Sequence, residues 1–181
     1  MEHALDGPRR SAVAPQSTPL AAAAAGALAL ALAGVGDLTD PLAATRLVVL
    51  GGALGVVTLS DVREHRIPNR VVLPAAVICL VLSLAGGGQL DASLVVGAAL
   101  VVLLCCLSLA APVVLGMGDV KLALLILCGL WSLAPVALIA AIELYAGVGM
   151  VLLVRRGRTA LGGSLPLAPI TAAGSVIALM T

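Results

Sequence analysis

Two short polar clusters stand out in a largely apolar chain, and each carries one motif aspartate. The first runs from Ser60 to Asn69 and contains Asp61, followed by Ile67-Pro68-Asn69. The second runs from Leu115 to Lys121, where Gly116 and Gly118 lead into Asp119. A carboxylate at membrane depth is costly and is a functional hypothesis by default. Two that converge can do acid–base work. Like charges a few ångströms apart do not both ionise readily, so one carboxyl keeps its proton near neutral pH while its neighbour acts as a base. The ionised member can take a proton from water and the protonated member can polarise a scissile carbonyl. That is aspartyl protease chemistry, and it needs neither a metal nor a covalent nucleophile. Such a pair titrates as a unit, so acid and base are not assignable to Asp61 or Asp119 individually.

The flanking residues have readable physical roles. Gly116 and Gly118 remove side chains ahead of Asp119, so that the backbone can bend and a substrate strand can approach, with an unwound turn at Gly118. Ile67 precedes Pro68 and is expected to be extended, and Asn69 then stands as N-cap of the next helix. Lys121 either snorkels to the headgroups or holds Asp119 electrostatically. Arg63, Arg66 and Arg70 read first as topology determinants, and His65 as a solvated loop residue. Glu143 lies in the middle of an apolar run, either functional or protonated and hydrogen-bonded to a neighbouring helix. Gly147 and Gly149 beside it suggest close helix packing.

Lipid must be the solvent for the elements that position these groups. Of 181 residues, 61% are hydrophobic and only 10% charged, with a mean hydropathy of +1.20. Soluble domains carry about 25% charged residues, so this chain cannot cover its own surface with polar groups. A net charge of +1 provides no strong field toward nucleic acid. Cys79, Cys105, Cys106 and Cys128 all lie in apolar runs, and none forms a C-x-x-C pair. They read as buried small apolar residues rather than as zinc or redox ligands, and no cofactor or metal is expected.

The expected fold is an all-α polytopic integral membrane helical bundle of about seven apolar segments, near 20–36, 42–60, 70–86, 92–115, 120–131, 135–154 and 165–180. The stretch from Val120 to Val154 would make ~52 Å of helix, too long for one crossing of a ~30 Å hydrocarbon core. W-S-L-A-P at 131–135 is the natural break. With the N-terminus inside, Arg9, Arg10, Arg63, Arg66, Arg70, Lys121, Arg155, Arg156 and Arg158 fall on the cytoplasmic side, and Asp37, Asp40 and Asp91 outside, as the positive-inside rule requires. Residues 1–19 read as a disordered cytoplasmic tail. Residues 20–41 read as an extra membrane helix with its outer loop, retained as an anchor rather than cleaved as a signal peptide.

The order D-x5-I-P-N and then G-x-G-D-x-K, at helix ends on one side of a small polytopic chain, resembles the type IV prepilin peptidase family. The resemblance runs from about residue 43 to the end and implies a six-helix peptidase core over residues 42–181. It implies that Asp61 and Asp119 are the catalytic pair, supported by Gly116, Gly118, Lys121, Pro68 and Asn69. It further implies a multi-pass plasma-membrane aspartic endopeptidase. The substrate would be a prepilin-like membrane protein with a basic leader, cut at the cytoplasmic face of the bilayer. The small size resembles the forms that serve tight-adherence or Flp-type pili. Longer members carry a cytoplasmic segment with paired C-x-x-C motifs, linked to N-methylation. This chain lacks those motifs, so methyl transfer is not expected. The first run has no counterpart in the family's core, and the closing S-L-P-L-A-P matches its last helix only loosely. Rival readings are a small cation-coupled transporter, with Glu143 relaying protons, and an inactive pilus-assembly scaffold. Neither requires I-P-N or G-x-G-D-x-K.

Overall fold

The structure is a computed structural model and describes residues 40–64, 66–111, 115–156 and 168–181. The expected tail at 1–19, the first apolar run at 20–36, His65 and Arg158 lie outside the described residues. Those described form an all-α membrane bundle of α1 (Pro41–Glu64), α2 (Asn69–Ala85), α3 (Ala92–Ala110), α4 (Met117–Leu130), α5 (Ala134–Arg156) and α6 (Ala168–Met180). By length and composition three apolar helical stretches can cross a membrane: α1, α3 and the run Met117–Val151. Helices α2 and α6 are shorter apolar helices.

The run from Met117 is broken where the sequence places a break. Trp131–Leu133 form a 3₁₀ turn between α4 and α5. Trp131 takes φ 52°, a left-handed conformation that is costly for a bulky residue. Its indole Nε1 donates to the Gln89 carbonyl at 2.9 Å, and Gly88 packs so close that a Cβ there would lie 3.0 Å from the ring. Gly87, at φ 74°, turns the chain between α2 and α3.

Helix α4 is the centre of the bundle and touches all five other helices. Its residues from Leu122 to Leu130 are almost all buried, as expected of a helix that is apolar all round. The core is built on it: Leu50, Leu54 and Val57 of α1 and Val72 and Cys79 of α2 close against Leu122, Leu125 and Ile126. Helices α5 and α6 form the most extensive pair. They approach at Gly174, where a Cβ would lie 2.7 Å from the Ala137 carbonyl oxygen and 2.9 Å from the Ala141 nitrogen. Small residues permit such close helix contact in lipid.

Several expectations are corrected here. Close packing was expected at Gly147 and Gly149, but among the described residues a Cβ at either meets nothing within 4 Å. The close approach is instead at Gly174. Glu143 is exposed on the outward face of α5, with no neighbouring helix covering it among the described residues. Cys79 and Cys128 are buried as expected, whereas Cys106 is exposed on α3 and Cys105 only partly covered. Helix α1 continues past 60 to Glu64, which places Asp61 inside its last turn rather than beyond it.

Candidate active site

The bundle has two polar ends. At one, Arg46 of α1 donates from Nη1 to Ser83 Oγ at 3.0 Å, and the Ser83 hydroxyl donates to the Cys128 carbonyl at 2.9 Å. These bonds join α1, α2 and α4 beside the Trp131 turn. The other end holds both motif aspartates. Helices α1 and α2 run out and back between the two ends, and α3 and α4 repeat the pattern. The end of α1 and the starts of α2, α4 and α6 meet there through the contacts described next.

Asp61 is buried, with 7% of its surface exposed. Its Oδ2 accepts the backbone N–H of Ala168 at 2.9 Å. Ala168 opens α6, and the first N–H groups of a helix have no partner within it. The carboxylate thus satisfies an orphan donor, and the helix N-terminus favours the negative charge. Pro169 fits this geometry because proline is tolerated in the first turn, where its missing N–H costs nothing.

Asp119 lies in the first turn of α4, half-buried. Its Oδ2 accepts the Gly116 N–H at 3.1 Å, and its own N–H donates to the Gly116 carbonyl at 3.0 Å. Asp119 therefore also sits at a helix N-terminus, with the same dipolar benefit. Asp61 and Asp119 thus stand at the same end of the bundle, each accepting one backbone N–H. Two carboxylates held this way can share one proton and serve as acid and base together.

The supporting residues are placed differently from expectation. Gly116 is the N-cap of α4, in extended backbone. Gly118 is already helical, so no unwound turn forms there. Its value is space: a Cβ would lie 3.1 Å from Ile67 Cδ1. The G-x-G-D segment and the I-P-N segment thus pack directly on each other, and the missing side chain is what lets them. Pro68, at φ −74° and ψ 111°, takes the N-cap position of α2 and has no side-chain cap bond. Asn69, expected as that cap, is the first helical residue instead. Its carboxamide oxygen accepts from Lys121 Nζ at 2.9 Å. Lys121, expected to snorkel or to hold Asp119, donates to Asn69 and so clamps α4 to α2. Two features were missed from sequence: the Ala168 amide on Asp61, and Thr58, whose hydroxyl is buried without a hydrogen-bond partner among the described residues. The readable signal for the first was A-P at 168–169, which marks a helix start.

The chain matches the type IV leader peptidase family over residues 48–154, more than half its length and including both aspartates. Comparison with curated proteins and with solved structures finds no significant match in either. With an apolar helical bundle that brings the two motif segments to one end, the chain belongs to the type IV leader peptidase family, and its activity is that of a protease.

Proposed function

We propose that the protein is an aspartic endopeptidase of the plasma membrane. It removes the basic leader of a prepilin-like substrate at the cytoplasmic face, with Asp61 and Asp119 as its catalytic pair. The observation that carries this reading is the position of the two carboxylates. They come from separate motifs that pack on each other through Ile67 and Gly118, and they sit at the N-termini of α6 and α4 at one end of the bundle.

The chemistry follows from one shared proton. The ionised carboxylate takes a proton from a water molecule, whose oxygen adds to the scissile carbonyl carbon. The protonated carboxyl donates to the carbonyl oxygen. The resulting tetrahedral diol collapses: the C–N bond breaks, the leaving amine takes up the proton held by the first carboxyl, and a diol hydroxyl returns its proton to the second. The products are a carboxylic acid on the leader and a free amine on the membrane segment. The flanking arginines support a cytoplasmic site, since Arg63, Arg66 and Arg70 cluster at this end. Residues 42–181 then form the peptidase core. Cation-coupled transport gains nothing from Glu143, which faces outward on α5.

The test is direct. The full chain in liposomes is mixed with a designed single-span protein bearing a basic leader and about 20 apolar residues, enough to cross a bilayer. Cleavage between the leader and the apolar segment is expected, seen as a mobility shift and located by mass spectrometry. An uncut substrate in the presence of folded protein contradicts the reading.

A further inference from the structure

Glu143 is exposed on α5, and its carboxyl makes no hydrogen bond among the described residues. It stands ~14 Å along the helix from Ala134, near the middle of a ~30 Å hydrocarbon core. A carboxyl left in lipid at that depth is expensive, and acids within membrane helices almost always face protein or water.

The face that carries Glu143 is patterned. Val136, Ile139, Glu143, Ala146 and Met150 are all exposed and follow one another at steps of 3, 4, 3 and 4 residues. That is the a/d alternation of a helix that meets another along one seam. Ala134, Ala137, Leu138 and Ala141, on the opposite side of α5, are buried, and Ala137 and Ala141 lie against Gly174 of α6. The bundle thus uses one side of α5 and leaves a second, heptad-spaced side uncovered among the described residues. One polar residue sits in that seam, at an a position. In coiled coils a single polar a residue sets register and partner number.

Whatever covers this face must bring a hydrogen-bonding side chain to the depth of Glu143. Acyl chains have none. The run at 20–36 has none either, being built of Ala, Leu, Gly and Val alone. An apolar helix of another protein keeps its backbone groups paired internally and has none to give. A second copy of this chain does. Copies of one membrane protein insert in one orientation, so a two-fold axis along the membrane normal lays the two α5 helices parallel. Like residues then face like, and Glu143 meets Glu143 of the partner subunit at the same depth. A carboxyl that holds its proton is both donor and acceptor, so the two can bond each other.

We propose that the protein forms a parallel two-fold dimer through the Val136–Met150 face of α5, closed at its centre by a hydrogen bond between the two Glu143 carboxyls. The dimer sets two aspartate-bearing ends side by side at one face of the membrane. It does not depend on the peptidase reading, since association is measured without a substrate.

The experiment uses the purified full chain in liposomes, labelled at its N-terminus with a donor or an acceptor fluorophore. Energy transfer should rise with the protein-to-lipid ratio and fall when lipid dilutes the protein. Glu143→Leu is expected to weaken association about tenfold, and Glu143→Gln, which keeps a donor and an acceptor, to recover most of that loss. Both variants should keep the wild-type helical content by circular dichroism, since Glu143 is exposed in the single chain. A photo-crosslinker at Ala146 should give a band of twice the monomer mass, and one at Leu103, exposed on α3, should not. Energy transfer absent at every ratio overturns the dimer, as does equal crosslinking from both positions. Unchanged association in folded Glu143→Leu overturns the carboxyl contact. A crosslink from Ala146 to residues 20–36 of the same chain would place that run on α5 and overturn the proposal as well.

Discussion

The amide of Ala168 donates to Oδ2 of Asp61 at 2.9 Å, a bond that spans 107 positions of sequence. It ties the last turn of α1 to the first turn of α6 and gives a buried carboxylate a partner. Helix α6 lies outside the segment that matches the family, yet it completes the surroundings of Asp61. Whatever sets the position of α6 therefore also sets the position of that carboxylate.

Gly174 should prove intolerant for this reason. Its absent Cβ faces backbone atoms of Ala137 and Ala141, which cannot swing aside as a side-chain tip would. Gly174→Ala is expected to destabilise the bundle by about 1–3 kcal/mol and to lower cleavage by shifting Ala168 from Asp61. Gly147→Ala, which meets nothing among the described residues, should be neutral or gain up to about 1 kcal/mol through helix propensity. Thermal unfolding in detergent distinguishes the two, and equal effects would show that the α5–α6 contact is not as close as described.

Lys121 and Asn69 should act as a pair. Lys121→Met and Asn69→Ala are each expected to weaken the α4–α2 clamp, and the double variant to be little worse than either. The coupling would be on the order of 0.5–1 kcal/mol in a double-mutant cycle of stability. Strict additivity would mean that Lys121 acts elsewhere, on Asp119 or on the headgroups.

The far polar end should affect stability and not chemistry. Ser83→Ala leaves Arg46 Nη1 and the Cys128 carbonyl without their partner, at a cost of about 1–3 kcal/mol. Its melting temperature should fall while kcat of the folded protein is unchanged. A loss of kcat at full folding would contradict the separation of the two ends.

Membrane orientation can be read with one cysteine. Arg66 is exposed beside the aspartates, so Arg66→Cys in a background free of other cysteines should react with a membrane-impermeant thiol reagent in inside-out vesicles. Labelling confined to right-side-out vesicles would place the site on the opposite face.

Much of this was legible in the sequence because it was expensive. Two aspartates, a W-S-L-A-P break and arginines gathered, Arg46 aside, on one side stand out against a chain of Ala, Leu, Val and Gly. The break at Trp131 and the meeting of the two motifs follow from those signals. The partners of the small and polar residues were less legible. Gly147 and Gly174 look alike as letters, and only the packing of α5 on α6 decides which one is crowded. Asn69 has the chemistry of a cap, but Pro68 occupies that position and Lys121 lies within reach. An amide from Ala168 is invisible to any reading of side chains, since every residue but proline has one. Thr58 is an ordinary helix threonine until its missing back-bond is seen.

The most direct test of the account is cleavage by Asp61→Asn and Asp119→Asn, each reconstituted with the designed leader-bearing substrate. Both changes preserve size and remove the ability to act as acid and base. Each variant is expected to insert and fold, as judged by its melting curve, and to lose leader cleavage by at least about 10³-fold. Processing at the wild-type rate by either folded variant would contradict the two-aspartate mechanism.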